Sequence, residues 1–246
     1  MEVQDSNIIQ KYNIQNAVIV SGVSILIMTF AAIIATQITI GSLFVETDAI
    51  ITAQNIKSNL TLFRAGTIAW IIILICDVFA SWGLYNLLKP VDKSLALLMS
   101  WLRLIYSAIL GAAIINLIKV IVLINSNLHI NTLGIENFTT EVYFNMGVFY
   151  ETWSYGLILF SLHILILGYL SYKSRYIPKY FSVLLMLAFV GYFITNVSNL
   201  MFTDYKEYKT IIEMIFIIPM LSEVAFAIWL LISRAKLNVL SLTKSE

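Results

Sequence analysis

The chain is short of charge. Only 12% of its 246 residues are Asp, Glu, Lys or Arg, about half of what a soluble globular domain carries. It has one cysteine, Cys76, which excludes an intrachain disulfide. Two histidines and that cysteine are too few ligands for a structural zinc site, so no metal is expected. The formal net charge of +1 provides no basic field to hold nucleic acid. No glycine-rich phosphate loop, paired-histidine metal motif or serine elbow occurs, and no cofactor is expected.

Apolar residues fill the space. They make up 60% of the chain, and the mean hydropathy over the whole length is +0.88. This excludes a soluble fold, a disordered chain and a peripheral protein with a single anchor. A bilayer core about 30 Å thick needs roughly 20 apolar residues in a helix. Ala17–Ile38, Ala65–Leu88, Leu95–Ile118, Phe144–Tyr169, Tyr180–Phe202 and Ile211–Ile232 each qualify. The runs are continuous rather than alternating, so they predict helices and not a barrel. The expected fold is all-α: a transmembrane bundle of six helices with no soluble domain. Residues 1–16 form an N-terminal segment, 17–232 the membrane domain and 233–246 a tail.

Lysine and arginine set the orientation. Lys11, Lys89, Lys93, Lys173, Arg175, Lys179, Arg234, Lys236 and Lys244 fall on one side of a six-span chain. The opposite loops are poorer: 39–63 has Lys57, 125–143 has none, and the last has Lys206 and Lys209 balanced by Asp204 and Glu207. Both termini are therefore expected in the cytoplasm, and the protein in the inner (cytoplasmic) membrane with the lipid bilayer as its partner.

Ionisable groups at mid-membrane cost at least ~2.5 kcal/mol each on insertion scales, so each needs a partner or a purpose. Asp77 lies thirteen residues before Pro90 and Arg103 thirteen after it. Both then sit roughly 20 Å from the turn on adjacent antiparallel helices, which predicts an Asp77–Arg103 ion pair. His163 lies fifteen residues before Pro178, at a similar depth. In the last apolar run Pro219 stands four residues before Glu223. A proline there frees the Ile215 carbonyl and predicts a kink beside a buried carboxyl group. Tyr192, Thr195, Asn196 and Asn199 recur at helical spacing and read first as amide and hydroxyl glue between helices, second as a solute-lining surface.

The order and spacing of these residues carry a resemblance. The segments are Cys76-Asp77 with Leu87-Leu88-Lys89-Pro90-Val91, Leu102-Arg103-Leu104 ahead of Leu110-Gly111, and Ser154-Tyr155-Gly156. They continue with Leu162-His163 running into Leu167-Gly168-Tyr169-Leu170 and Pro178, then Pro219 with Glu223 and 225–231. In these the chain resembles the bacterial polytopic membrane proteins grouped as domain of unknown function 4386, over roughly Ile14 to Ser233. The resemblance implies a six-helix inner-membrane protein of unestablished activity. It singles out Asp77, Arg103, His163, Pro219 and Glu223, and names no substrate, cofactor or catalytic residue.

The leading expectation is a membrane protein that binds or moves a small solute or a proton through a polar centre holding Asp77, Arg103, His163, Asn196 and Glu223. A second is an intramembrane enzyme using Glu223 and His163. A third is a structural or regulatory subunit whose buried charges fix packing.

Overall fold

A computed structural model of the chain describes residues 2–125, 127–201 and 221–233, with side chains described for 14–125, 134–201 and 221–233. The elements are all helical. In order they are α1 (Glu2–Ile33), a π-helical segment (Ile34–Thr39), α2 (Ile40–Leu43), α3 (Ala49–Ser58), α4 (Leu60–Leu88), α5 (Lys93–Asn125), α6 (Asn127–Lys173) and α7 (Lys179–Met201). A shorter apolar helix, α8 (Leu221–Ser233), follows. Five stretches are long and apolar enough to cross a bilayer: Ile14–Leu43, Leu60–Leu88, Lys93–Asn125, Gly134–Lys173 and Lys179–Met201. Lipid offers no hydrogen bonds to backbone, so each stretch closes its own as a helix. Pro219 and the first half of the expected sixth span lie outside the described residues.

The helices outrun the apolar stretches at both ends. Neither outer segment expected to be a loop is irregular throughout. Within 39–63 the chain forms α3, which Asp48 caps by accepting the Ile51 N–H at 2.9 Å. Thr52 ties α3 back to the approach: its hydroxyl accepts from the Val45 N–H at 2.9 Å and donates to the Val45 carbonyl at 3.1 Å. The helix lies against α6, where the Tyr143 hydroxyl donates to the Glu46 carbonyl. Residues 127–143 are the start of α6, broken at Gly134, whose φ of 78° suits a residue without Cβ.

Neighbours in sequence are neighbours in space: α1 against α4, α4 against α5, α5 against α6, and α6 against α7. α8 continues the series. Its Phe226 and Trp229 rings meet Phe181 of α7, with centroids 6.2 Å and 5.5 Å apart. On its other side Ala227 and Leu231 face Gly22 of α1, where a Cβ would stand 3.1 Å from the Ala227 carbonyl and 2.7 Å from Leu231 Cγ. The ring of helices is thus closed. Its outer surface is apolar and exposed, with Phe30, Ile68, Phe79, Trp101, Val122 and Leu187 among the side chains facing outward. Its interior holds the buried charges.

At one end the two proline-containing turns are fastened together. The Tyr176 hydroxyl donates to the Leu87 carbonyl at 2.6 Å, and Lys173 Nζ lies 3.5 Å from Asp92 Oδ2. Asp92 also caps α5, accepting the Leu95 N–H at 3.1 Å. That backbone donor first, and the Lys173 charge after it, hold the Asp92 carboxyl below the usual carboxylate range. A depressed folded value means stability that is present above the unfolded value of about 3.9 and lost as pH falls through the folded one. Asp92→Ala is therefore expected to lower the thermal midpoint at neutral pH by an amount that shrinks below about pH 4. A deficit that stayed constant down to pH ~2 would assign the effect to something other than the carboxylate.

Candidate functional site

Arg103 is the hub of the interior. On α5 the residues Ser100, Arg103 and Ser107 share a buried face, and Arg103 is 0% exposed. Its Nη2 lies 2.6 Å from Asp77 Oδ1 on α4, the contact that equal counting from Pro90 predicts. The approach is a close charge contact off the hydrogen-bond axis, and among the described residues neither Asp77 carboxyl oxygen nor Arg103 Nε has a hydrogen-bond partner. Nη2 also reaches Met28 Sδ on α1 at 3.4 Å, and Nη1 lies 3.1 Å from His163 Nε2 on α6. The guanidinium carbon stands 5.1 Å from the centre of the Phe160 ring. A single arginine thus touches three other helices.

The contacts fix the tautomer of His163. Its Nδ1 is 2.8 Å from the Met99 carbonyl, which can only accept, so Nδ1 carries the proton. Nε2 then presents its lone pair to Arg103 Nη1, which can only donate. The imidazole is neutral with both nitrogens in use. One turn toward the α4–α5 turn, Ser81 and Ser100 donate to each other's carbonyls at 2.9 Å and 3.3 Å, holding α4 and α5 in register.

Glu223 of α8 forms the second part of the centre. It is 6% exposed, and Oε1 accepts the Tyr192 hydroxyl of α7 at 2.7 Å. Tyr192 in turn stands edge-on to Phe160, with centroids 5.5 Å apart. Phe160 also contacts His163 at 5.3 Å and Tyr106 at 4.8 Å, so one phenyl ring lies against both parts. The Tyr106 hydroxyl accepts the Trp153 indole N–H at 3.2 Å.

The structure therefore brings Asp77, Arg103 and His163 together and gives Glu223 a different partner. Glu223 and His163 make no hydrogen bond to each other, and the acid–base pair envisaged from depth alone is not assembled. The Ser161 hydroxyl, two residues from His163, donates to the Ile158 carbonyl at 2.6 Å. Asn196 is committed to packing: its Oδ1 accepts from Ser154 of α6 at 2.9 Å and its Nδ2 donates to the Tyr192 carbonyl at 2.7 Å. Among the described residues no group of three or more His, Cys, Asp or Glu stands ready for a metal.

The helical spacing names Tyr192 as part of a polar stripe but not as the partner of Glu223; Phe160, Tyr106 and Met28 are not named. The depth of Tyr192, fourteen residues after Pro178 and level with His163, is the signal for that pairing. Phe160 and Met28 carry none, because in a lipid-spanning helix an apolar residue is expected on every face.

Fold and interior together define a class, a multi-pass helical membrane protein with a buried charged centre. The chain belongs to the family described as Domain of unknown function (DUF4386), whose model matches residues 20–233. An uncharacterized protein of Archaeoglobus fulgidus is 32% identical over 169 residues, covering 68% of this chain and 82% of its own length. The likeness thus reaches an archaeon as well as the bacterial proteins expected from the motifs. No solved structure matches.

Proposed function

We propose that the protein sits in the inner (cytoplasmic) membrane as a six-span bundle with both termini inside, and binds a small polar solute or a proton at the centre around Arg103. The lysine–arginine asymmetry supports the orientation. One observation carries the binding reading: Asp77 Oδ2 and Arg103 Nε are buried and, among the described residues, lack hydrogen-bond partners. A buried pair serving only as a staple gains most when every donor and acceptor is used. Unused capacity on both members of the pair is what a polar ligand needs. The neutral, fully engaged His163 supports binding over catalysis. It also favours a second reading, in which the cluster only fixes helix packing.

Thermal unfolding of the purified chain separates the two. Small polar solutes and a pH series are applied to the wild type and to the charge-balanced double variant Asp77→Asn/Arg103→Leu. Binding at this centre predicts that at least one solute, or a proton step, raises the wild-type midpoint and leaves the double variant unmoved. Equal responses in both proteins would remove the centre from function and leave packing as its role.

A further inference from the structure

We propose that the end of the bundle carrying the two proline-containing turns is a docking rim for anionic phospholipid, whose headgroup phosphodiesters seat on Lys89, Lys93, Lys173, Arg175 and Lys179. The rim is separate from the centre around Arg103 and stands whether or not that centre binds a solute.

Residues 85–96 and 169–182 hold those five cations and a single acid, Asp92. The two stretches form one surface, because the Tyr176 hydroxyl donates to the Leu87 carbonyl at 2.6 Å and Lys173 Nζ lies 3.5 Å from Asp92 Oδ2. Asp92 is already committed to the Leu95 N–H and to Lys173, so it does not offset the other four cations. Lys93 and Arg175 are exposed and have no hydrogen-bond or ion-pair partner among the described residues. Lys89 and Lys179 are steadied by neutral groups, which leave their charges uncompensated. Lys89 Nζ donates to Asn86 Oδ1 at 2.9 Å, and Lys179 Nζ donates to the Tyr172 carbonyl and stands 4.4 Å from the centre of the Tyr172 ring. The opposite end of the bundle has the opposite sign: Glu46, Asp48, Glu136, Glu141 and Glu151 outnumber Lys57, Arg64 and Lys119. Anionic lipid is therefore favoured at one end only.

The height of the rim suits a headgroup. Trp82, Tyr172 and Tyr180 are exposed, and they stand eight residues before Pro90, six before Pro178 and two after it. At about 1.5 Å per residue these rings lie roughly 3–12 Å from the turns. That is where exposed aromatic side chains mark the border between acyl chains and headgroups. Cations at the turns themselves are then level with the phosphates. A phosphodiester meets lysine as a point charge and arginine as a two-bond fork. A zwitterionic headgroup offsets its phosphate with its own ammonium, so the rim selects lipids with a net negative charge. Each Lys or Arg near a bilayer surface strengthens that attraction by about fivefold.

The test uses the full chain reconstituted in phosphatidylcholine vesicles that contain a trace of spin-labelled phosphatidylglycerol or of phosphatidylcholine labelled at the same acyl position. Electron paramagnetic resonance reads the fraction of each label held against the protein. The expected result is a preference for phosphatidylglycerol of about twofold or more, averaged over all boundary lipid. The preference is expected to fall toward one in about 1 M sodium chloride, where charges more than ~3 Å apart are screened. Lys93→Gln/Arg175→Gln, two exposed positions, is expected to lose about half of the preference while unfolding at the wild-type midpoint. Lys57→Gln/Lys119→Gln removes the same charge from the opposite end and is expected to keep the preference in full. Equal retention of both lipids, or a preference indifferent to salt, overturns the rim; the salt series on the wild type decides this even if a variant fails to fold. A preference unchanged in Lys93→Gln/Arg175→Gln, or lowered equally by both double variants, overturns its assignment to the proline turns. Sodium phosphate that releases the lipid better than sodium chloride at equal ionic strength identifies a site for free phosphate and overturns the lipid assignment.

Discussion

Asp77→Asn alone is expected to lose about 3–5 kcal/mol of stability, because it leaves Arg103 charged in a dry interior without its counterion. The expected reading is a sharp fall in folded yield and thermal midpoint of the detergent-purified chain. Arg103→Leu alone is expected to do comparable harm by stranding Asp77. The double variant Asp77→Asn/Arg103→Leu removes both charges and is expected to recover most of the loss. Recovery is incomplete for a definite reason. His163 Nε2 accepts from Arg103 in the native protein, and leucine leaves that lone pair buried and unpartnered at a cost of about 1–3 kcal/mol. A double variant no better than the worse single one would show that the two residues are not energetic partners, whatever their separation.

Gly83→Ala is the second large effect. A Cβ at Gly83 would meet the Ser21 hydroxyl and stand 2.7 Å from the Ala17 carbonyl oxygen. The carbonyl belongs to the α1 backbone and cannot swing aside, so α1 and α4 must separate. Overpacking of this kind costs about 1–3 kcal/mol or more. Gly147→Ala is the matched control, because a Cβ there has nothing within 4 Å. It is expected to be neutral or slightly stabilising, by up to about 1 kcal/mol from helix propensity. Thermal midpoints of the two variants measured side by side decide it; similar values would mean that the α1–α4 crossing yields easily.

The contrast between the Asp77–Arg103 pair and the Glu223–Tyr192 pair marks how far the residues alone reach. Counting from a turn fixes depth, because a helix rises about 1.5 Å per residue. It also fixes partners when two helices share that turn. Asp77 and Arg103 share the Pro90 turn, and they meet. Glu223 and His163 share no turn. Depth counting is silent on position around the ring, and α7 intervenes between α6 and α8, so Glu223 meets Tyr192. The helical class was legible because lipid leaves a continuous apolar run no other conformation. α3 was not, since it rests on an Asp48 cap and a Thr52 tie rather than on hydrophobic length. The π-helical turn at Ile34–Thr39 was equally hidden; α4 comes close beside it, where a Cβ on Gly66 would stand 2.6 Å from Ile40 Cγ1.

The contact of α1 with α8 has a consequence for biogenesis. Helices α4 to α7 each find a sequence neighbour as soon as they enter the bilayer. The face of α1 at Gly22 and Ile25 must instead wait for Ala227 and Leu231, some two hundred residues later in synthesis. Until then the nascent bundle is a horseshoe, and Tyr192 faces the gap without the Glu223 carboxylate. The charged centre is therefore sealed last, by the helix that brings its second acid. A chain stopped before α8 would leave that opening unfilled, a distinguishing mark by which membrane quality control could separate finished molecules from unfinished ones.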